Sequence, residues 1–286
     1  MRTDQITLPG GFIDPDGKLH RHATIRALTG REEELLTDYS YPSAELVTEL
    51  ICLCVSDLAG TQITSPQIAR SLLVGDREYI LLMLRKITFG DRVESTLRCP
   101  WPNCGKNIDI DFRISDIPVT QAADLRPVYT LADANLEFRL PTGADQEYIG
   151  SFAQLGPAKL SSVVLQRCLV RIGENRHPDL ETVLEMESEL RKRIEKEMEA
   201  LAPNLDLTME MTCPECRREF VAPFELQDFF FSEVKTNLEL LYREIHYLAF
   251  HYHWSESEIM SMPRQRRRDY IRVLSDEIER INDAAH

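Results

Sequence analysis

Two short cysteine turns constrain this chain more than any other feature: CPWPNC at residues 99–104 and CPEC at residues 213–216. Their surroundings match. LRCPWPNCGKNIDIDFRISDI and MTCPECRREFVAPFELQDF both run apolar residue, spacer, Cys-Pro, second cysteine and three residues, then an alternating segment that ends in an acidic residue. Ile108, Ile110, Phe112 and Ile114 fall on one face of the first segment, and Phe220, Ala222, Phe224 and Leu226 on one face of the second. Alternate side chains of a strand point the same way. Leu205, Leu207, Met209 and Met211 alternate upstream of the second turn. The pattern predicts two strand–knuckle–strand hairpins forming an internal repeat, with Trp101 and Pro102 as two extra residues in the first turn.

A knuckle offers two thiolates on one side of a turn whose amides offset their charge. Zinc takes four thiolates in a tetrahedron at about 2.3 Å. Two facing knuckles would close that shell and leave no position for water, so the expected ion is structural. We therefore expect one Zn2+ on Cys99, Cys104, Cys213 and Cys216, in a zinc ribbon split by an insertion at 119–204. The ion would clamp the two ends of the insertion, and its ligation would be folding free energy. Two other readings stay open: unpaired surface thiols, or a redox pair at CPEC. A redox pair prefers a strand-to-helix setting, whereas CPEC leads into an alternating segment. Cys52 and Cys54, two apart in a helical run, and Cys168, in an apolar helix, read as core.

Composition narrows the function. A net charge of −14 gives no general attraction to nucleic acid or to an anionic membrane and favours protein partners. No apolar run approaches the roughly 20 residues that span a bilayer, and MRTDQITLPGGF lacks the apolar core of a signal peptide. A cytoplasmic protein is expected, whose seven cysteines are thiols or ligands rather than disulfides. Glycine-rich phosphate loops, GxSxG and HExxH are all missing. A non-enzymatic chain without a small-molecule substrate is the expectation.

The predicted fold class is α+β, mostly helical, with the split four-cysteine ribbon and a small N-terminal β arm. Its parts are an extended or β arm at 1–40, a helical segment at 41–92, ribbon halves at 93–118 and 205–228, a β-hairpin plus helical insertion at 119–204, and C-terminal helices at 229–286. Ser65 and Pro66 predict a helix start, Gly75 its stop, and Asp76 the cap of the next helix. VYTLADANLEFRL predicts a hairpin, and Thr142 with Asp145 a capping box ahead of helices at 143–155 and 158–172. DLETVLEMESELRKRIEKEMEAL reads as one solvated helix with a partner stripe along Leu184, Leu190 and Ile194. A long apolar helix is expected to end near Trp254, followed by a box at Ser255 and Glu258 and a last helix opened by Pro263. His246, His251 and His253 do not stack on one helical face and are assigned to aromatic packing with Tyr247, Tyr252 and Trp254. RQRRR at 264–268 is assigned to intramolecular ion pairs or an acidic partner surface.

LLVGDREYILLMLRKITFGDRVESTLRCP, FRLPTGAD and YHWSESEIMSMPRQRRRDYI together resemble the T-even-type phage baseplate protein family, which also occurs in phage-tail-like contractile injection clusters. The resemblance covers most of residues 65–280, and HWSxxEI followed by RRR and an aromatic is its most specific part. It implies a baseplate hub or hub-assembly component, either retained in the particle or acting as a chaperone, whose partners are other baseplate, hub or tail subunits. It carries over no catalytic residues. The competing reading is a zinc-ribbon nucleic-acid or transcription-associated module. That module needs a basic face, which only RQRRR and LRKRIEK offer.

Overall fold

The computed structural model describes residues 3–37, 42–58, 65–152 and 156–284. The chain opens with the antiparallel hairpin β1 (Thr3–Ile13) and β2 (Leu19–Arg26), followed by α1 (Gly30–Leu35). Helix α2 (Ser43–Cys54) runs directly into β3 (Val55–Leu58), which pairs with β2 and completes a three-stranded sheet. The predicted arm is thus a built-in sheet. Ile6 and Leu8 of β1 and Ala23 and Ile25 of β2 are buried in the main core, because a hairpin that brings four apolar side chains to one face gains more from burial than from solvent.

Helices α3 (Pro66–Ser71) and α4 (Val74–Phe89) come next. Ser65 caps α3 with Pro66 at its first position, as expected. Gly75 is not a stop, and Asp76 is not a cap. Both lie in the first turn of α4, whose N-cap is Leu73. Gly75 is where α4 meets the chain near Pro203, whose carbonyl oxygen a Cβ would strike. Asp76 accepts from the amides of Gly10 and Gly11 at 2.8 and 2.9 Å and ties β1 to α4. Burial pushes its carboxyl up to about 6, against the pull of those two amides.

The hairpin β4 (Arg92–Arg98) and β5 (Asn107–Arg113) leads to the short β6 (Val119–Thr120) and then to β7 (Tyr129–Leu131) and β8 (Leu136–Phe138), the predicted hairpin. Helix α5 (Gly143–Gly150) starts at the expected Thr142–Asp145 box and ends before the expected 155; residues 153–155 lie outside the described set. Helix α6 (Pro157–Cys168) stops short of 172 because Leu169–Ile172 become β9, which pairs with β8 and with β10 (Asn175–Arg176). The charged stretch is two helices, α7 (Leu180–Glu185) and α8 (Ser188–Leu201). Its apolar stripe mostly faces inward. Ile194 is fully buried and Leu190 partly so in the chain's own second core, and only Leu184 is exposed.

The alternating run upstream of the second turn divides into β11 (Asn204–Leu205), paired with β6, and β12 (Thr208–Thr212), paired with β13 (Glu219–Pro223). The expected long helix is likewise two, α9 (Leu226–Thr236) and α10 (Leu238–Tyr252), broken at Asn237. Helix α10 ends at His253, which takes a left-handed φ of 56°; α11 (Glu256–Met260) and α12 (Arg264–Ala284) follow. The Ser255–Glu258 capping box is formed as expected.

About 51% of the chain is helical. Its apolar interior is divided. The first core joins the three-stranded sheet to α2, α4 and α9 through Leu8, Ile25, Leu50, Leu84 and Phe230. The second joins the sheet β10–β9–β8–β7 to α6, α7 and α8 through Leu136, Phe138, Leu165, Val183 and Ile194. A third lies between α10 and α11, around Leu241, Leu248, Ile259 and Met260. Arg77 is buried where α2, α3, α4 and α5 meet. It donates to the carbonyls of Ala44 and Ala69 and to the side chains of Thr48 and Gln146.

Candidate metal centre

The two cysteine turns are built alike. In β4–β5 the last paired residues are Arg98 and Asn107, and in β12–β13 they are Thr212 and Glu219, so each loop is closed by a register-matched hairpin. The Cys99 amide donates to the Lys106 carbonyl at 2.8 Å, and the Cys213 amide donates to the Arg218 carbonyl at 3.0 Å. The residue after the second cysteine is left-handed in both turns: Gly105 and Arg217 each have φ of 59°. Glycine adopts this conformation freely, whereas arginine is strained there. Its recurrence at Arg217 marks the turn geometry as the shared feature.

The loops face one another. The four sulfurs of Cys99, Cys104, Cys213 and Cys216 all lie within 4.8 Å of each other. Two contacts cross between loops, Cys99 to Cys216 and Cys104 to Cys213, each at 3.8 Å. In a tetrahedron with bonds of about 2.3 Å, the sulfur–sulfur edge is about 3.8 Å. The arrangement therefore has the dimensions of a four-thiolate metal shell. Cys99 and Cys213 are buried, while Cys104 and Cys216 are half-buried. Ile108, Met211 and Phe220 pack around the sulfurs. On the outside, the Arg218 guanidinium of one loop lies 5.2 Å from the Trp101 ring of the other, a cation–π contact across the two hairpins. One of the two extra residues of the first turn thus touches the second.

The electrostatics are asymmetric. The amides of Cys216 and Glu215 point at the Cys213 sulfur and pull its thiol down to about 7. Burial pushes the Cys99 thiol up to about 12. Four thiolates this close repel one another unless a cation sits among them. A cation there would have four protein ligands and no open coordination position. Soft thiolates suit zinc, copper(I) and iron alike.

The remaining sequence candidates lie elsewhere. Cys54 and Cys168 are fully buried, and burial pushes both thiols up to about 12; Cys52 packs at the edge of the first core. The histidines of α10 do stack with aromatics: His246 on Phe250, and His251 against Tyr247 and Phe250. This packing is on an exposed surface and not in a core, since His246, His251, His253 and Phe250 all face solvent. Tyr252 and Trp254 stack on each other instead, beside Tyr270. RQRRR turns inward. Arg267 is completely buried and donates to Glu33 at 2.8 Å and Glu244 at 2.9 Å, while Arg268 reaches Glu244 at 3.5 Å. Arg264 donates to Asn237 at 2.7 Å. RQRRR was expected to make intramolecular ion pairs or face an acidic partner surface; Arg267 and Arg268 make the ion pairs, with Glu33 and Glu244. Nothing in the sequence distinguishes these two among 47 acidic residues.

Among the described residues, no helix is long and apolar enough to cross a membrane. Fold and cluster together define a mixed α+β protein with a four-cysteine cluster built from two hairpins. The model of the T4 bacteriophage base plate protein family matches residues 14–231, and the chain belongs to that family. Its role is accordingly a structural one related to the phage baseplate. A second family model, of unknown function, matches residues 234–286. No curated protein and no solved structure matches the chain.

Proposed function

We propose that this chain is a non-enzymatic structural or assembly subunit of the baseplate or hub of a contractile tail, in a phage or a phage-tail-like injection particle. One zinc ion on Cys99, Cys104, Cys213 and Cys216 welds its two hairpins into a single ribbon. The observation that carries the zinc is the meeting of four sulfurs at tetrahedral spacing from loops more than 100 residues apart. The family carries the baseplate role. The ribbon brackets the 119–204 insertion, so a bound ion would fix where the second core sits relative to the first. Aromatic contacts at the base of the ribbon, such as Phe112 against Phe224 at 5.2 Å, would pass that constraint to α9. Partners would be other baseplate, hub or tail subunits. The nucleic-acid reading is weakened in both basic stretches: in RQRRR, Arg264, Arg267 and Arg268 are engaged within the chain, and in LRKRIEK, Lys192 pairs with Glu189 and Arg193 with Asp133.

Two measurements test this reading. Elemental analysis of protein purified without added metal should find about one zinc per chain, lost in Cys213→Ser with Cys216→Ser; a folded wild type without metal would remove the zinc. Particles should fail to assemble when the chain is deleted. Mass spectrometry of purified wild-type particles then separates a retained component from a departing chaperone, and normal assembly without the chain would overturn the reading.

A further inference from the structure

The Arg267 cluster is not electrically balanced. Three guanidinium groups, of Arg264, Arg267 and Arg268, share two carboxylates, of Glu33 and Glu244. Arg267 takes one oxygen of each, at 2.8 and 2.9 Å. The second oxygens are left to the other two arginines at longer range: Glu33 lies 3.9 Å from Arg264, and Glu244 lies 3.5 Å from Arg268. The first distance is beyond hydrogen-bond range and the second is at its limit. Three cations against two anions leave one positive charge over, and it falls on Arg264 and Arg268.

Both of these side chains line one cavity of about 480 Å³, bounded by β1, the last turn of α4, α9 and the first turns of α12. Arg264 is only 8% exposed. Its guanidinium lies over the Phe89 ring at 4.8 Å and donates to Asn237 at 2.7 Å. Burial, and then the charge of Arg268, hold that guanidinium below its ordinary value. A buried charge without a close partner is costly, and two like charges on one cavity add to the cost. The positive end of α12, a 21-residue helix, opens on the same cavity at Pro263 and Gln265.

The carboxylates of the cavity wall do not answer this charge. Glu233 is held in the fork of Arg85 at 2.7 and 2.9 Å. Asp91 is taken by Lys86 at 3.2 Å and by the amide and hydroxyl of Ser115. Asp4 is exposed and makes no ion pair among the described residues, so water satisfies it.

We propose that this cavity binds one oxyanion, a phosphate group or a carboxylate, between the guanidinium forks of Arg264 and Arg268. A planar fork offers paired donors that fit either group. The volume lies within the range of small-ligand sites, and leaves room for whatever carries the anion. The source is then a free or ligand-borne phosphate, or an acidic side chain of a partner subunit. The site stands apart from the baseplate reading, and binding can be tested without any particle.

Full-length protein in chloride buffer is titrated by calorimetry with inorganic phosphate and, separately, with acetate, at constant ionic strength. At least one should bind saturably. Arg268→Gln should weaken that binding about tenfold with circular dichroism unchanged, because the Arg268 side chain is 48% exposed and its loss opens no core. Arg264→Gln should abolish it; if that variant does not fold, Arg268→Gln alone decides. Either ion upholds the site: tighter phosphate assigns it to a phosphate group, and tighter acetate to a partner's carboxylate. No saturable binding of either ion, or binding that Arg268→Gln leaves unchanged, would overturn the inference. So would a rise in thermal midpoint with phosphate that is equal in wild type and variant, since general exclusion of phosphate from protein surfaces then accounts for it.

Discussion

The four-cysteine cluster and the Arg267 cluster both join parts of the chain that are far apart in sequence, by opposite chemistry. The first brings residues 109 and 117 positions apart into sulfur contact. The second reaches from α12 to Glu33, 234 positions away, and to Glu244, 23 positions away. The cysteine cluster is made of four like groups, so as thiolates its strength would come from a cation in solution and follow that cation's availability. The arginine cluster contains counter-charges of its own, Glu33 and Glu244, and desolvation opposes it. Burial holds the Glu33 carboxyl above its ordinary value even with Arg267 beside it, which fits the small net return of buried ion pairs. A metal shell can therefore supply most of a junction's stability, whereas a buried ion cluster mainly fixes which surfaces meet.

The largest effect tests the first half of that contrast. Cys213→Ser with Cys216→Ser, or a strong chelator on wild type, should abolish metal-linked folding energy on the order of 10 kcal/mol and melt the ribbon. Near-UV circular dichroism and metal content would follow it, and an unchanged melting curve would show that packing alone holds the hairpins. Next, Arg267→Met alone should destabilise by about 3–5 kcal/mol in urea unfolding, because two buried carboxylates lose their partner. Adding Glu33→Leu and Glu244→Leu should recover most of that loss. If it does not, the ion cluster is itself a net source of stability.

Acid should separate the two junctions by sign. Thiolate ligation is lost as pH falls and the sulfurs take up protons. Glu33, raised above its ordinary value, contributes most at low pH and loses its contribution as pH rises through its folded value. Asp76 calibrates the second behaviour. Its carboxyl lies near 6 in the fold against 3.8 unfolded. The folded state thus holds the extra proton, and up to about 3 kcal/mol is lost as pH rises from 4 through 6. Asp76→Asn should flatten that slope in melts across the same range. The smallest effect is local: Ser255→Ala removes one side of the α11 capping box and should cost about 1 kcal/mol, leaving metal content unchanged.

What was legible in the sequence follows from range. The capping boxes at Thr142–Asp145 and Ser255–Glu258 were readable because donor and acceptor are three residues apart. Asp76 was misread as a cap because its partners, Gly10 and Gly11, lie 66 and 65 positions away. Residues 169–172 fit a helical continuation as well as a strand, and the free edge of β8 decided for the strand. Leu190 and Ile194 looked like a stripe for a partner because a helical period shows that a face is apolar, not what covers it.

The sequence by itself determined the residue types and local spacing of the two cysteine turns, the alternation of the strands that carry them, and the acidic balance of the chain. These are properties of neighbours, set by backbone geometry within a few residues. Only the tertiary structure decided that the loops face each other at sulfur–sulfur distances of 3.8 Å, that Arg267 is buried against Glu33 and Glu244, and that Arg264 and Arg268 line one cavity. Each of these depends on which surfaces pack, and packing is settled by the summed burial of the whole chain rather than by any local pattern.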